Sequence, residues 1–139
     1  MSPQRAKSLK TILVVDDDSS VVTVVHRILA VYGYEVLEAR SIEEAIAAVQ
    51  KSRSGIDLLI VDAVMPKVSG PELADILLFL RPDLKVLFIT GLDSLTMQLA
   101  FNRPCGFLQK PFSAVALISK VEEVLGESQS IAEDMSTSE

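Results

Sequence analysis

Five short apolar runs recur along the chain, and each is followed by a stretch in which apolar residues return every three or four positions. The runs at 11–15, 34–37, 58–61, 86–89 and 107–109 have the length of strands. The third, Leu58-Leu59-Ile60-Val61, contains no polar residue and reads as a strand buried on both faces. In the second, Glu35 interrupts the apolar residues, as suits an edge strand. Between the runs the spacing becomes helical. Val21, Val24, Val25, Ile28 and Tyr32 define a first helix, with Ser19 or Ser20 as N-cap and Gly33 as its stop. The valines weaken its helix propensity, but length and spacing still favour helix over strand. Ser41-Ile42-Glu43-Glu44 is a capping box for a second helix carrying Ile42, Ala45, Ile46 and Val49, ended by Gly55. Ser69-Gly70-Pro71 opens a third, with Leu73, Ile76, Leu77 and Leu80 as its stripe and Arg81-Pro82 as its end. A short fourth runs from Asp93 or Ser94 to about residue 102. Ser113 caps a fifth, with Leu117, Ile118, Val121 and Leu125, closed by Gly126.

Strand and helix therefore alternate five times. Such alternation builds a parallel sheet with helices on both faces. Residues 1–10 are polar and aperiodic and read as a flexible lead. Residues 11–126 form the domain, and the Ser-, Glu- and Asp-rich stretch at 127–139 reads as a disordered tail.

Composition narrows the class. The chain has 139 residues, 49% hydrophobic and 23% charged, enough for one ordinary core. A net charge of −6 argues against a nucleic-acid surface on this chain. No apolar run approaches the roughly 18 residues that a membrane span needs, and no signal peptide is legible. The single Cys105 rules out an internal disulfide and fits a reducing, cytoplasmic setting.

The chemistry-bearing residues stand at the ends of the runs. The first ends in Asp16-Asp17-Asp18, where a dinucleotide-binding fold would place glycines to receive phosphate. Carboxylates there repel phosphate and attract a hard cation. The third ends in Asp62, the fourth in Thr90-Gly91, and the fifth leads to Lys110-Pro111-Phe112. Carboxyl ends of parallel strands converge on one edge, so these groups can meet. Together they suit an Asp nucleophile toward phosphorus, Mg²⁺ on oxygen ligands, and a Lys ammonium beside the transferred group. Singly, each residue is as well explained by a helix cap, a strand end or an ordinary ion pair.

Val15-Asp16-Asp17-Asp18, Val61-Asp62-Ala63-Val64-Met65-Pro66 with Gly70, Ile89-Thr90-Gly91 and Lys110-Pro111-Phe112 occur in order, and with them the chain resembles the CheY-like receiver domains of bacterial two-component response regulators. The resemblance covers roughly 11–125. It implies a flavodoxin-like, doubly wound five-stranded parallel sheet of order 2-1-3-4-5 with five helices. It implies that Asp62 accepts a phosphoryl group from a phosphohistidine of a sensor histidine kinase or histidine phosphotransfer protein. It further implies that Asp17, Asp62 and the Val64 backbone carbonyl bind Mg²⁺ directly, with Asp16 helping through water, and that Thr90 and Lys110 contact the phosphoryl group. Thr90 and Phe107 fall at the switch positions, which makes the fourth helix, fifth strand and fifth helix the expected partner face. Val64 and Leu92 fall two residues after the acceptor and the switch Thr, flanking the path of hydrolytic water.

Some features depart from the regulator pattern. The switch aromatic is Phe, without a hydroxyl, and the fifth helix carries one Lys and no Arg, unlike receivers that dimerise through it. The chain looks more like a stand-alone or hybrid-kinase receiver. Two other readings compete. Asp16-x-Asp18-x-Ser20 imitates the nucleophile motif of haloacid-dehalogenase-like phosphohydrolases, which would phosphorylate Asp16. A pseudo-receiver that only binds partners would not be phosphorylated. His26 is expected on the solvent side of the first helix, and Leu78 and Phe79 as a contact patch or partial burial on the third.

Overall fold

Alternation along three central strands divides the interior into two cores. The computed structural model describes residues 9–126. The strands are β1 (Thr11–Val15), β2 (Glu35–Ala39), β3 (Leu58–Asp62), β4 (Lys85–Thr90) and β5 (Gly106–Gln109). They form one parallel sheet in the order β2-β1-β3-β4-β5. The helices are α1 (Ser19–Val31), α2 (Ile42–Lys51), α3 (Gly70–Leu80), α4 (Ser94–Ala100) and α5 (Ala114–Leu125). The fold is thus the flavodoxin-like one expected, and the lead at 1–8 and the tail at 127–139 lie outside the described residues.

Ile12 and Val14 of β1, Leu58 and Ile60 of β3, and Leu87 and Ile89 of β4 face α1 and α5 and pack on Val22, Val25, Leu29, Leu117, Ile118 and Val121. Their neighbours Leu13, Val15, Leu59, Val61, Val86 and Phe88 face α2, α3 and α4 and pack on Ala45, Val49, Leu73, Ala74, Leu77 and Met97. Two-sided burial is why Ile12 to Val15 of β1 and Leu58 to Val61 of β3 are unbroken apolar runs. β2 lies at the edge, with Glu35 and Glu38 exposed.

Several local expectations are corrected. The N-cap of α1 is Asp18, whose carboxylate accepts from the Ser20 backbone at 2.9 Å and from its hydroxyl at 2.7 Å. The buried stripe of α1 is Val22, Val25 and Leu29, while Val24 and Tyr32 are exposed. Valine at 21, 22, 24 and 25 fills both faces of the first turns, so spacing alone cannot choose between them. In α3, Ala74 takes the inner position and Ile76 faces outward, because a small residue lets the helix approach the sheet. β2 begins one residue later than expected and runs two further, α4 stops at Ala100, and α2 stops at Lys51 rather than near Gly55. His26 is half-exposed and paired with Glu38 of β2.

The end of α2 is held from outside. Arg81, the C-cap of α3, donates from Nη2 to the carbonyls of Val49 at 2.8 Å and Ser52 at 3.3 Å. A guanidinium there both satisfies terminal carbonyls and opposes the negative end of the helix dipole. Arg81→Ala is expected to destabilise the fold by about 1–3 kcal/mol, as for hydrogen bonds from a charged donor. Denaturant titration checks this, with Arg81→Lys recovering part of the loss. An unchanged midpoint would mean that α2 closes its own end.

Candidate functional site

Each strand end delivers its side chain to one edge through a short backbone tether. Asp16 follows β1 directly, and its backbone N–H donates to the Ala39 carbonyl of β2 at 3.3 Å. Its Oδ1 accepts from the Asp18 N–H at 3.0 Å, so the turn into α1 aims the carboxylate. Asp62 ends β3, and its Oδ1 accepts from the Val64 N–H at 3.0 Å. Gly70 N–H donates to the Ala63 carbonyl at 2.9 Å, drawing the start of α3 over this loop. A Cβ at position 70 would lie 2.4 Å from the Asp62 carbonyl oxygen, so only glycine permits the approach. Thr90 ends β4. Its carbonyl accepts from the Lys110 N–H at 2.7 Å, and its hydroxyl oxygen accepts from the Leu92 N–H at 3.0 Å.

These tethers bring four of the expected residues into one cluster. Carboxylate oxygens of Asp16, Asp17 and Asp62 lie within 4.8 Å of one another. Lys110 Nζ donates to Asp62 Oδ2 at 3.0 Å. It lies 3.9 Å from Asp16 Oδ2, too far to bond, so that buried oxygen has no hydrogen-bond partner. Asp16 is fully buried, Asp62 nearly so, and Asp17 exposed. Burial alone would lower the Lys110 pKa, but the hydrogen bond and charge of Asp62, then the charge of Asp16, raise it overall. Oxygen-only donors around an unpartnered carboxylate oxygen fit a hard divalent cation. Asp18 is not part of this group. It is exposed, and its carboxyl is held below the usual range first by the Ser20 hydroxyl. That cap role removes the second acid from the hydrolase-like Asp16-x-Asp18 reading.

Asp16 is pushed up to about 6, first by burial and next, against the Asp18 N–H bond, by the Asp62 charge. The folded chain therefore binds a proton that the unfolded chain releases near the ordinary value of 3.8. Stability falls as pH rises through that window, and the cost is fully present above about 6. Asp16→Asn is expected to raise cation-free stability at pH 7.5 by about 1–3 kcal/mol, or several degrees in Tm. The gain should shrink toward pH 4.5, as wild-type Asp16 becomes neutral. Thermal melts in EDTA at both pH values check this, and an equal gain at both would place the effect elsewhere.

Val64 and Leu92, whose N–H groups bond to Asp62 and Thr90, are 62% and 40% exposed. Phe107 is partly buried and stacks on Phe88 of β4, centroids 6.2 Å apart, while Phe88 meets Phe101 edge-on at 5.0 Å. Two features were not foreseen. Gln109 Nε2 donates to the Gly91 carbonyl at 3.3 Å, joining the end of β5 to the loop after Thr90. A groove of about 400 Å³ beside Asp17 is lined by Arg40, Met65, Lys67 and Val68 among others. Nothing local in the chain marks either, since both depend on separate loops meeting.

The family model described as Response regulator receiver domain matches residues 12–122, and the chain belongs to that family. It is a phosphoacceptor receiver of two-component signalling. The chain is 36% identical over 117 residues to the sensor kinase CckA of Brucella abortus (strain 2308), a match covering 83% of this chain and 12% of that protein. It is 31% identical over 119 residues to the response regulator receiver protein CpdR of the same strain, covering 84% of this chain and 98% of CpdR. Among solved structures, a CheY-like receiver domain protein from Methanospirillum hungatei JF-1 superposes with a TM-score of 0.75 at 32% identity, over 88% of this chain and 98% of that one. Among the described residues no helix is long and apolar enough to cross a membrane.

Proposed function

We propose that Asp62 is the residue phosphorylated, by a phosphohistidine of a sensor histidine kinase or histidine phosphotransfer protein, and that Mg²⁺ is the ion of the acidic cluster. The observation that carries the reading is the Lys110–Asp62 contact of 3.0 Å beside the three clustered carboxylates. Asp16, Asp17, Asp62 and the Val64 carbonyl would hold Mg²⁺, which neutralises the carboxylates and the charge on the phosphoryl oxygens when bound. A carboxylate oxygen of Asp62 attacks phosphorus, its new P–O bond replacing the donor's P–N bond, and the imidazole leaves. The Lys110 ammonium then stands by the phosphoryl oxygens in place of the free carboxylate, and the Thr90 hydroxyl donates to one of them. The domain is a signalling phosphoacceptor whose own chemistry is confined to gaining and slowly losing that group. Thr90 and Phe107 link the site to α4, β5 and α5, which we assign as the face that changes partners, since a switch requires different contacts in its two states. Phe107 stacked on Phe88 offers such a contact.

The deciding experiment is labelling with acetyl phosphate or phosphoramidate, with Mg²⁺ or with EDTA. One phosphoryl group is expected, with Mg²⁺ only, and borohydride reduction should map it to Asp62. Mapping to Asp16 would favour the hydrolase reading. Absence of label would favour the pseudo-receiver.

A further inference from the structure

The outer side of α2 and α3 carries an apolar groove far from any use in phosphoryl transfer. Ile46, Ile76, Phe79 and Leu80 line it with Gln50 and Asp75, around about 360 Å³. Phe79 is 86% exposed and Ile76 41% exposed. Single exposed apolar residues are ordinary, but an aromatic ring standing in water beside an apolar cleft marks an interaction site.

Charge on α2 points to its occupant. The exposed positions of this helix are Glu43, Glu44, Gln50 and Lys51, with half-buried Ala47 between them on the same outward face. Its first turn is acidic, with Glu43 and Glu44, and its last turn ends in Lys51. Such a helix is complementary to itself when turned end for end. An antiparallel pairing centred on Ala47 sets Glu43 of each copy against Lys51 of the other, and Glu44 against Gln50. The same two-fold axis turns the Phe79 face of each α3 toward the α2–α3 face of the second copy. An isologous dimer needs this kind of self-complementary patch.

We propose that the α2–α3 face is a self-association surface, on which two copies of this chain pair with α2 antiparallel to α2 and each Phe79 ring covered by the second copy. The patch is small beside the interfaces of stable dimers, so the association is weak and rapidly reversible. The patch contains none of Asp16, Asp17, Asp62, Thr90 and Lys110 and nothing of the α4–β5–α5 face, only Glu43 also lining the groove beside Asp17, so self-association is expected with or without phosphorylation.

Sedimentation velocity of the full chain in Mg²⁺, from low micromolar to near-millimolar protein, tests this. A concentration-dependent monomer–dimer equilibrium is expected. Phe79→Ser should weaken it by about tenfold or more, and its circular dichroism should be unchanged because the ring lies outside the core. Glu43→Lys and Lys51→Glu should each weaken it through like-charge contacts, and the double variant should restore it. Three outcomes overturn the proposal. The chain could stay monomeric throughout, leaving the groove to another partner. The dimer could survive Phe79→Ser. The double charge swap could fail to restore what each single swap removes. The acetyl phosphate label on Asp62 is unaffected by any of these outcomes.

Discussion

Asp62→Asn is expected to remove phosphorylation completely while leaving the fold intact. Asparagine keeps the Oδ1 that accepts from the Val64 N–H at 3.0 Å, so the loop after β3 retains its anchor. The change replaces Oδ2, the oxygen now 3.0 Å from Lys110 Nζ, by an amide nitrogen. An amide is no nucleophile toward phosphorus, and the remaining Asp16 and Asp17 offer no acceptor in the same place. Loss of one negative charge also relieves crowding around the unpartnered Asp16 oxygen, so Tm without Mg²⁺ should hold or rise. Intact-mass spectra after acetyl phosphate treatment should show no added phosphoryl group in the variant and one in the parent. Equal labelling of the two would place the acceptor elsewhere. A collapse in Tm would instead mean that the Lys110–Asp62 pair holds β3 and β5 together, a structural role that the half-exposed position of Lys110 argues against.

How far the chain could be read in advance depended on the range of the forces involved. β1 and β3 were legible because burial on both faces makes Ile12 to Val15 and Leu58 to Val61 unbroken apolar runs, with the polar residues Thr11 and Asp62 confined to one end of each strand. Ser41, Ser69 and Ser113 were legible as caps because their bonds close within three residues. The start of α1 was misread because Asp18, Ser19 and Ser20 are all good caps in succession, and only the folded turn selects the first. Asp16, Asp62, Thr90 and Lys110 could be placed together because a parallel sheet gathers strand ends whatever its loops do. Arg81 on α2, Gln109 on Gly91 and Phe107 on Phe88 could not, since each contact joins elements whose relative positions follow from packing, not from spacing. Asp16 shows the two levels together. Its place at the edge follows from the strand, whereas its lack of a partner and its raised pKa follow from burial against neighbours distant in the chain.

Loss of the phosphoryl group should be slow in this chain, and the double variant Val64→Asn with Leu92→Glu should accelerate it about tenfold or more, each ~1.4 kcal/mol of barrier being worth a factor of ten. Hydrolysis needs a water in line behind phosphorus, held by a group that can hydrogen-bond it. The Val64 N–H is bound to Asp62 Oδ1 and the Leu92 N–H to Thr90 Oγ1, both at 3.0 Å, which ties the backbone at these two positions to the acceptor and to the switch threonine. Neither side chain has a donor or acceptor. Flanking the water path as the proposed mechanism places them, they would shield the approach and leave the water unoriented. Both are well exposed, so polar replacements cost the core nothing and the comparison reports on chemistry. The measurement is the decay of purified phosphoprotein after removal of the phosphodonor, parent beside variant, with Mg²⁺ held constant. Faster decay in the variant supports control of the water by these two positions. Equal or slower decay would show that the water is placed by backbone groups or by Lys110, and that lifetime in this receiver is set by a partner that removes or takes back the phosphoryl group.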